Sequence, residues 1–389
     1  MSERMKAVRK MKSERGLAVE DVALPTIGRD DCLVRVEAAG ICGTDLHIWS
    51  WDRWSSRRIK PPLTLGHEIA GTVVEVGKDV RTVSPGDYVS AESHITCGMC
   101  YQCRTGQAHM CPNTVILGVD RDGGFAEYVA VPEKVIWRND REKIAPEIAC
   151  LQEPFGNAVF ATMNQEITGQ SVAILGCGPI GLFSTAIARA SGAARLFASD
   201  VNAFRLTLAT RMGAHAVFNP RDYPTGGAET VVDAMVTANG GHGVDIVLEM
   251  SGAPDAITTA FRTVRNGGVV VLFGIPSKPV EIDVAENMIF KNLTVRSMNG
   301  RRIFDTWYKT RWLLGEGVVD LRPLITKTIR LEDIDASMPL LAEGRACKLV
   351  VVPEHKKPLA ESLASTTHPA DRGEPKPADA NIRGTPVHR

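Results

Sequence analysis

The sequence lacks the long apolar run of a membrane span, because no uninterrupted apolar stretch reaches the roughly 18 residues that such a helix requires. It also lacks net charge, since 45 basic residues balance 45 acidic ones, and a neutral chain has no global field that attracts nucleic acid or an anionic membrane surface. The first residues lack the apolar core of a signal peptide. We therefore expect a cytosolic protein with small-molecule partners, and neither nucleic acid nor membrane among them.

Length and residue pattern predict two domains. A chain of 389 residues, 44% of them hydrophobic, is long enough to bury two full cores. Short β-type runs broken by glycine and proline fill residues 5–155 and predict a β-rich, barrel-like domain. Between residues 156 and 298, apolar strands alternate with helical patterns, which predicts a doubly wound parallel sheet.

The rest of the chain predicts how these domains are connected. Residues 299–353 end in the apolar run Cys347–Val352, which suits pairing with the β-rich domain. We therefore expect residues 156–298 to be inserted into a domain formed by residues 1–155 and 299–353. The final segment, 354–389, has almost no large apolar side chains and is predicted to be a disordered tail.

Four cysteines lie close together in the first domain, and we call them the cysteine lobe. They are Cys97, Cys100, Cys103 and Cys111. In a large chain without a signal peptide, this spacing favours one tetrahedral zinc with four thiolate ligands over disulfides. The alternative is a zinc-ribbon module for nucleic acid. Ribbons, however, separate two Cys-x2-Cys pairs by about a dozen residues or more, and no basic stripe accompanies this cluster.

A glycine-rich segment follows an apolar strand in the second domain and opens a helical pattern. It reads Gly176-Cys177-Gly178-Pro179-Ile180-Gly181. This context matches a dinucleotide-binding turn. The first two glycines permit a tight turn and close approach of a pyrophosphate, the helix N-terminus receives that pyrophosphate, and the third glycine lets helix and strand pack closely.

The end of the next predicted strand indicates which dinucleotide binds. Asp200 lies there, and its carboxylate can accept hydrogen bonds from ribose hydroxyls while repelling a 2′-phosphate. Val201 and Asn202 offer no arginine for such a phosphate, so NAD is favoured over NADP. Arg205 is a candidate contact for the adenosine half of the cofactor, and it is equally consistent with a solvated helix charge.

A second set of metal ligands, which we call the mixed cluster, consists of Cys42, His67 and Glu68. A thiolate, an imidazole and a carboxylate can hold a zinc that keeps one position open for a substrate. Taken singly, His67 is equally consistent with a structural histidine and Cys42 with a buried thiol. The residue types alone leave both interpretations open.

The residues around the mixed cluster resemble a known family. Cys42 lies in Gly40–His47, which has the pattern Gly-x-Cys-Gly-Thr-Asp-x-His, and Gly66 precedes His67. With the cysteine lobe and the inserted dinucleotide domain, this pattern is similar to the zinc-containing medium-chain dehydrogenase/reductase family. The resemblance implies a GroES-like catalytic domain, an inserted Rossmann domain, a catalytic zinc, a structural zinc and NAD.

Five further stretches are similar to the branch of that family that oxidises L-threonine. They are Trp51–Trp54, Arg58–Pro62, Glu92–Cys97, Glu153–Ala158 and Gly300–Tyr308. The implied reaction is NAD-dependent oxidation of the 3-hydroxyl to 2-amino-3-oxobutanoate by zinc-assisted hydride transfer. The tail departs from the family pattern, as does Phe160, which stands where some members carry histidine.

The resemblance also implies a role for each matching residue. The mixed cluster would bind the catalytic zinc, with Glu153 as a further, exchangeable ligand, and the cysteine lobe would hold the structural zinc. Thr44 and His47 would relay the substrate proton to solvent, and His94 would orient the amino-acid head group. The alternatives are a helix-capping role for Thr44 and structural roles for the two histidines.

Two other functions compete with this interpretation. A polyol or other secondary-alcohol dehydrogenase would use the same zinc and NAD chemistry, and a catalytically silent relative would only bind these groups. The intact mixed cluster argues against the silent relative. Family members are commonly homotetramers joined through their cofactor domains, and the apolar strand Val269–Phe273 is a candidate for that contact.

Overall fold

The structure of the protein is a computed structural model that describes residues 3–223 and 229–355. Its strands are β1 (Arg4–Lys10), β2 (Ala18–Ala23), β3 (Asp31–Gly40), β4 (Leu63–Thr64), β5 (Glu68–Val76), β6 (Tyr88–Ala91), β7 (His94–Ile95), β8 (Val115–Ile116), β9 (Tyr128–Pro132), β10 (Ile136–Arg138), β11 (Ser171–Leu175), β12 (Arg195–Ser199), β13 (Ala216–Phe218), β14 (Val244–Glu249), β15 (Val264–Leu272), β16 (Thr294–Ser297), β17 (Ile325–Ile329) and β18 (Lys348–Val351).

The α-helices of the described residues are distributed along the chain, and the longer ones follow residue 150. They are α1 (Gly43–Ser50), α2 (Ser55–Arg58), α3 (Tyr101–Arg104), α4 (Pro146–Ala149), α5 (Gln152–Met163), α6 (Pro179–Ala190), α7 (Ala203–Arg211), α8 (Val231–Ala238), α9 (Pro254–Thr263), α10 (Asp305–Gly315) and α11 (Ile334–Ala342). Among the described residues, no helix is long and apolar enough to cross a membrane. The predicted disordered tail lies outside the described residues from residue 356 onwards.

Strands from both ends of the chain form one mostly antiparallel sheet. Its order is β10-β6-β5-β3-β18-β17, and β9 pairs with the first half of β3. Val350 and Val351 of β18 lie opposite Gly40 and Ala39 of β3, so the late apolar run pairs with the first domain as the sequence predicts. Two small sheets, β2-β1-β4 and β7-β8, complete this β-rich part.

Six parallel strands form the second large sheet, in the order β13-β12-β11-β14-β15-β16. The order reverses direction at β11, and ligands of such sheets bind in the crevice beyond the carboxyl ends of the strands at this switch point. The predicted doubly wound sheet is therefore confirmed. Val269–Leu272 lie within β15, between β14 and β16, so the candidate contact strand is internal and β16 forms the edge.

A shared core connects the two large sheets. Ala38 and Ala70 of the antiparallel sheet belong to the same apolar cluster as Phe155 of α5 and Phe183 of α6. The two phenylalanine rings meet edge to face with centroids 5.6 Å apart. Helix α5 packs against α6 on one side and against β5 and β6 of the antiparallel sheet on the other. The position of its first turn is therefore fixed relative to both sheets.

We expect the substitution Phe155→Ala to destabilise the protein strongly. The side chain is fully buried, and removing a buried phenylalanine ring typically lowers the unfolding free energy by about 3–5 kcal/mol. Urea unfolding followed by circular dichroism measures the loss. Phe204→Ala is the matched control, because Phe204 is exposed on α7. Equal midpoints for the two variants would contradict the assigned core.

Candidate active site

The three side chains of the mixed cluster converge in the structure. Cys42 caps the N-terminus of α1, and His67 and Glu68 lie at the start of β5. One ligand atom from each lies within 4.8 Å of the others. Gly66 makes this turn possible, because it adopts a φ of +95° and a Cβ there would lie 2.5 Å from the Phe125 ring.

The mixed cluster has the electrostatics of a cation site. His67 Nδ1, Glu68 Oε1 and Asp45 Oδ1 are buried and have no hydrogen-bond partner among the described residues. Burial opposes a charged imidazole, yet the negative charges of Asp45 and Cys42 raise the pKa of His67 well above its usual value. The site therefore attracts positive charge, and its sulfur, nitrogen and oxygen donors fit a zinc ion.

A buried lysine holds the other oxygen of Glu68. Lys348 of β18 is fully buried, and its ammonium donates to Glu68 Oε2 and to the carbonyl of Ile41, the latter at 2.8 Å. Burial favours the neutral amine, but the Glu68 carboxylate keeps the pKa of Lys348 above its usual value. Lys348 thus directs the Glu68 side chain and leaves Oε1 for the cluster.

Glu153 does not join the three converging ligands. It lies in the first turn of α5, and its carboxylate lies close to the carboxylate of Glu92 and the imidazole of His94. These three have the spacing of a metal site, but a cation is already present there. The buried guanidinium of Arg301 pairs with Glu92 and with Glu153. The role of Glu153 as a metal ligand stays a prediction.

The cysteine lobe has the geometry of a closed zinc site. Its four sulfurs lie within 4.8 Å of one another, and Cys111 Sγ is 3.6 Å from Cys97 Sγ and 3.8 Å from Cys100 Sγ. A tetrahedral zinc with sulfurs about 2.3 Å away separates them by roughly 3.8 Å. Backbone N–H groups of Met99 and Cys100 lower the pKa of the Cys97 thiol to about 6. The lobe is therefore prepared for a metal and leaves no position for a substrate.

The glycine-rich segment forms an open turn between β11 and α6. Gly176 has a φ of +100°, and a Cβ at Gly181 would lie 1.9 Å from the Gly176 carbonyl oxygen. A Cβ at Gly178 would meet nothing within 4 Å, so this face is free for a ligand. Pro179 begins α6, whose N-terminal N–H groups suit a pyrophosphate.

Asp200 follows β12 and is tied to the glycine-rich turn. Its carboxylate accepts hydrogen bonds from the backbone N–H of Cys177 at 2.7 Å and of Asn202 at 2.8 Å. Arg205 lies nearby, with Nη1 3.9 Å from Asp200 Oδ2. Both residues therefore lie near the glycine-rich turn, and their contacts with a dinucleotide stay predictions.

One cleft connects the mixed cluster with the glycine-rich turn. This cavity of about 730 Å³ is lined by Cys42, Thr44, His47, Trp54, Glu68, Pro179, Ile180 and Arg205. Thr44 Oγ1 lies 3.9 Å from Cys42 Sγ. The exposed His47 is held by Asp52 Oδ2 at 2.6 Å from its Nδ1. Trp54, the last residue of the stretch Trp51–Trp54 that resembles the L-threonine-oxidising branch, also lies at the cleft.

Sequence reasoning did not assign several residues that shape the site. Asp45, Glu92 and Arg301 stand inside motifs that carry the family resemblance, but the contact between Glu92 and Arg301 spans 209 residues of the chain. Lys348 carried a visible signal, because it is the one charged residue in the apolar run Cys347–Val352. Fully buried charges require partners, so a lone lysine in a buried strand points to a carboxylate nearby.

We expect Cys103→Ala to remove the metal of the cysteine lobe. The loss of one of four thiolates should lower the metal content by about one equivalent per chain and lower the thermal midpoint, because a structural zinc contributes folding energy. Elemental analysis and thermal unfolding measure both effects. Cys32→Ala is the matched control, since this buried cysteine lies outside both clusters. Unchanged metal content in Cys103→Ala would contradict the assignment.

Comparisons with known proteins agree with this geometry. A family model for the alcohol dehydrogenase GroES-like domain matches residues 28–141, and one for zinc-binding dehydrogenases matches residues 179–314. The chain is 47% identical to the L-threonine 3-dehydrogenase of Symbiobacterium thermophilum, with 92% of this chain and 100% of the relative covered.

Two solved structures are also similar. A zinc-binding dehydrogenase from Sinorhizobium meliloti bound to NADP has a TM-score of 0.83, 33% identity and coverage of 90% of this chain and 100% of its own. The 2R,3R-butanediol dehydrogenase of Bacillus subtilis has a TM-score of 0.80, 28% identity and the same coverage. The chain therefore belongs to the zinc-binding alcohol dehydrogenase family, with a GroES-like part and a Rossmann part.

Proposed function

We propose that this enzyme oxidises the 3-hydroxyl of L-threonine to 2-amino-3-oxobutanoate with NAD as hydride acceptor. One observation carries the proposal: the buried mixed cluster and the dinucleotide turn face the same cleft. The substrate assignment is supported by the relatives named L-threonine 3-dehydrogenase, which align over nearly the whole described chain.

The chain's own residues have separate tasks in this reaction. Cys42, His67 and Glu68 would hold the catalytic zinc, which when bound supplies a Lewis acid that makes the substrate hydroxyl more acidic. The glycine-rich turn would hold NAD, which supplies the hydride acceptor. The cysteine lobe would hold a structural zinc, because four thiolates saturate a tetrahedral ion.

The proton of the substrate hydroxyl needs a path out of the cleft. The hydroxyl of Thr44 lies beside Cys42, where it can accept this proton and pass it on. His47 lies further out on the same helix and is exposed, with Asp52 orienting its Nδ1. An imidazole exchanges protons with water near neutral pH, so His47 completes the path. His94 lines the neighbouring small cavity, where it would orient the substrate head group.

The preference for NAD is supported by the carboxylate at the end of β12. Asp200 is positioned by two backbone N–H groups, so it cannot swing away from a 2′-phosphate. A cofactor phosphate there would meet this negative charge at close range. Arg205 lies near enough to contact the adenosine half. We expect NADP to be a poor substitute in this chain.

We also propose a location, a domain division and an assembly. The enzyme works in the cytosol on a small-molecule substrate. Residues 1–155 and 299–353 form the catalytic domain, and residues 156–298 form the NAD-binding domain, as the two separate sheets support. The chain assembles as a homotetramer. We propose that one contact between subunits forms at the edge strand β16, because this strand is exposed along its whole length.

The decisive experiment follows NADH formation by absorbance. We expect the zinc-loaded enzyme to turn over L-threonine with NAD more efficiently than sorbitol, 2,3-butanediol or L-serine, and more efficiently with NAD than with NADP. Removal of zinc by a chelator should abolish turnover, and added zinc should restore it. Preference for a polyol would keep the chemistry and overturn the substrate. No turnover on any substrate by the zinc-loaded enzyme would favour a silent binding protein.

We expect charge at the β16 edge to weaken assembly. Ile289 and Phe290 precede this strand and are exposed, and unpaired strand edges with apolar neighbours pair readily with another copy. Phe290→Asp should therefore lower the mass measured by light scattering after gel filtration. Val318→Asp, at an exposed position after α10, is the control. Equal masses for the variant and the wild type would exclude this edge as a contact.

A further inference from the structure

The segment Gly300–Tyr308 is one of the stretches that resemble the L-threonine-oxidising branch, and the resemblance gives its residues no role. In the structure, two of its side chains converge on the buried carboxylate of Glu92. Arg301 Nε donates to Glu92 Oε2 at 2.7 Å, and Trp307 Nε1 donates to the same oxygen at 2.8 Å. A second guanidinium nitrogen of Arg301 pairs with Glu92 Oε1. Arg301 therefore binds the Glu92 carboxylate in a bidentate geometry, and both residues of the segment are held by Glu92.

The same guanidinium reaches one face of α5. Arg301 Nη2 lies 2.6 Å from Glu153 Oε1, and Arg301 Nη1 donates to Asn157 Oδ1 at 3.3 Å. Between these two positions, a Cβ at Gly156 would lie 2.9 Å from Arg301 Cδ, so glycine leaves the room that the arginine occupies. Residues three and four apart share a helix face, so this face of α5 is shaped for Arg301.

The buried carboxylates of this group outnumber its buried guanidinium. Glu92 and Glu153 share Arg301, which is only 2% exposed, while the partly exposed His94 has its Nδ1 3.1 Å from both Glu92 Oε1 and Arg301 Nη2. Uncompensated charge is costly in a buried wall, so the cluster favours a further cation. Glu153 also lines a cavity of about 160 Å³ that Cys42 and His67 share. The missing positive charge is therefore expected in the small cavity beside the mixed cluster.

The position of Glu153 argues against a zinc ion at the mixed cluster as the cation that this carboxylate binds. Arg301 and Ser93 both hold Glu153 Oε1, with the Ser93 hydroxyl donating at 2.5 Å. Held in this way, the Glu153 carboxylate lies with Glu92 and His94 and is not part of the mixed cluster. A zinc ion at the mixed cluster already has a thiolate and a carboxylate of its own. The cation that an amino-acid substrate itself brings to this cavity is its ammonium group.

We propose that Arg301 is a positioning residue which, braced by Glu92, holds Glu153 where its carboxylate binds the ammonium group of a β-hydroxy-α-amino acid. This inference rests on the proposed function and adds the group that separates an amino acid from a simple alcohol. In such a substrate the ammonium-bearing carbon is directly bonded to the hydroxyl-bearing carbon. One small cavity can therefore present the hydroxyl to the mixed cluster and the ammonium to Glu153.

The first test changes the substrate and leaves the protein intact. (R)-3-Hydroxybutanoate has the carboxylate and hydroxyl of L-threonine and lacks only the ammonium group. We expect the wild-type enzyme to prefer L-threonine in kcat/KM by roughly tenfold to a hundredfold, the scale of one hydrogen bond between charged groups. Glu153→Gln should bring this ratio close to one while the metal content of the purified protein stays unchanged.

The second test keeps the charge of Arg301 and removes its planar fork. Arg301→Lys should raise the KM for L-threonine by roughly tenfold, with little change in kcat and little change in the KM for 2,3-butanediol. Arg302→Lys is the matched control, because Arg302 is the exposed neighbour and the substitution is the same. A purely structural role would instead change both substrates in parallel.

The outcomes separate this inference from the proposed function. Turnover of 2,3-butanediol without turnover of L-threonine in the wild type would overturn both. Turnover of L-threonine with an unchanged substrate ratio in Glu153→Gln would overturn only the ammonium site. Loss of about one metal equivalent in Glu153→Gln, with equal loss of activity on both substrates, would identify Glu153 as a metal ligand and overturn the inference.

Discussion

The cleft of this enzyme depends on one constraint, which is that each fully buried charge needs a partner. Glu68 is held by Lys348, and Glu92 is held by Arg301, with partners 280 and 209 residues apart in sequence. These pairs connect β18 to the first residue of β5, and the segment before α10 to the residue that follows β6. Removing one partner would leave the other charge buried and unpaired, which typically costs about 3–5 kcal/mol. The same two charge pairs therefore position side chains at the candidate active site and connect distant parts of the chain.

Helix α5 transmits this constraint to the cofactor side of the cleft. One face carries Glu153 and Asn157, which contact Arg301, and the opposite side carries Phe155, which packs against Phe183 of α6. Because α6 begins at the glycine-rich turn, α5 connects that turn with the buried group of Arg301, Glu92 and Glu153. A hydride transfer needs such fixed geometry, since small displacements of the reacting groups reduce the rate steeply.

The two zinc-type clusters differ in what surrounds their ligands. In the cysteine lobe, the sulfur spacing leaves room for a metal and nothing else, and local backbone N–H groups stabilise a thiolate. In the mixed cluster, His67 Nδ1 and Glu68 Oε1 have no hydrogen-bond partner in the described part of the chain, and the charged side chains of Asp45 and Lys348 lie beside the ligands. The first arrangement suits a structural ion, whereas the second suits the reactive ion with an open position that the proposed function requires.

The sequence by itself determined the local features of this protein. The cysteine spacing, the glycine-rich turn and the period of the parallel strands are set by nearby residues, and β11 and β12 lie in the range where the sequence predicts alternating strands and helices. Only the tertiary structure decided which distant charges meet. Arg301 sits in a recognisable motif, yet whether it faces solvent or Glu153 depends on how α5 packs on the shared core. A charge finds its partner through the fold, because the cost of burial is common to all charges and their pairing is a matter of three-dimensional position.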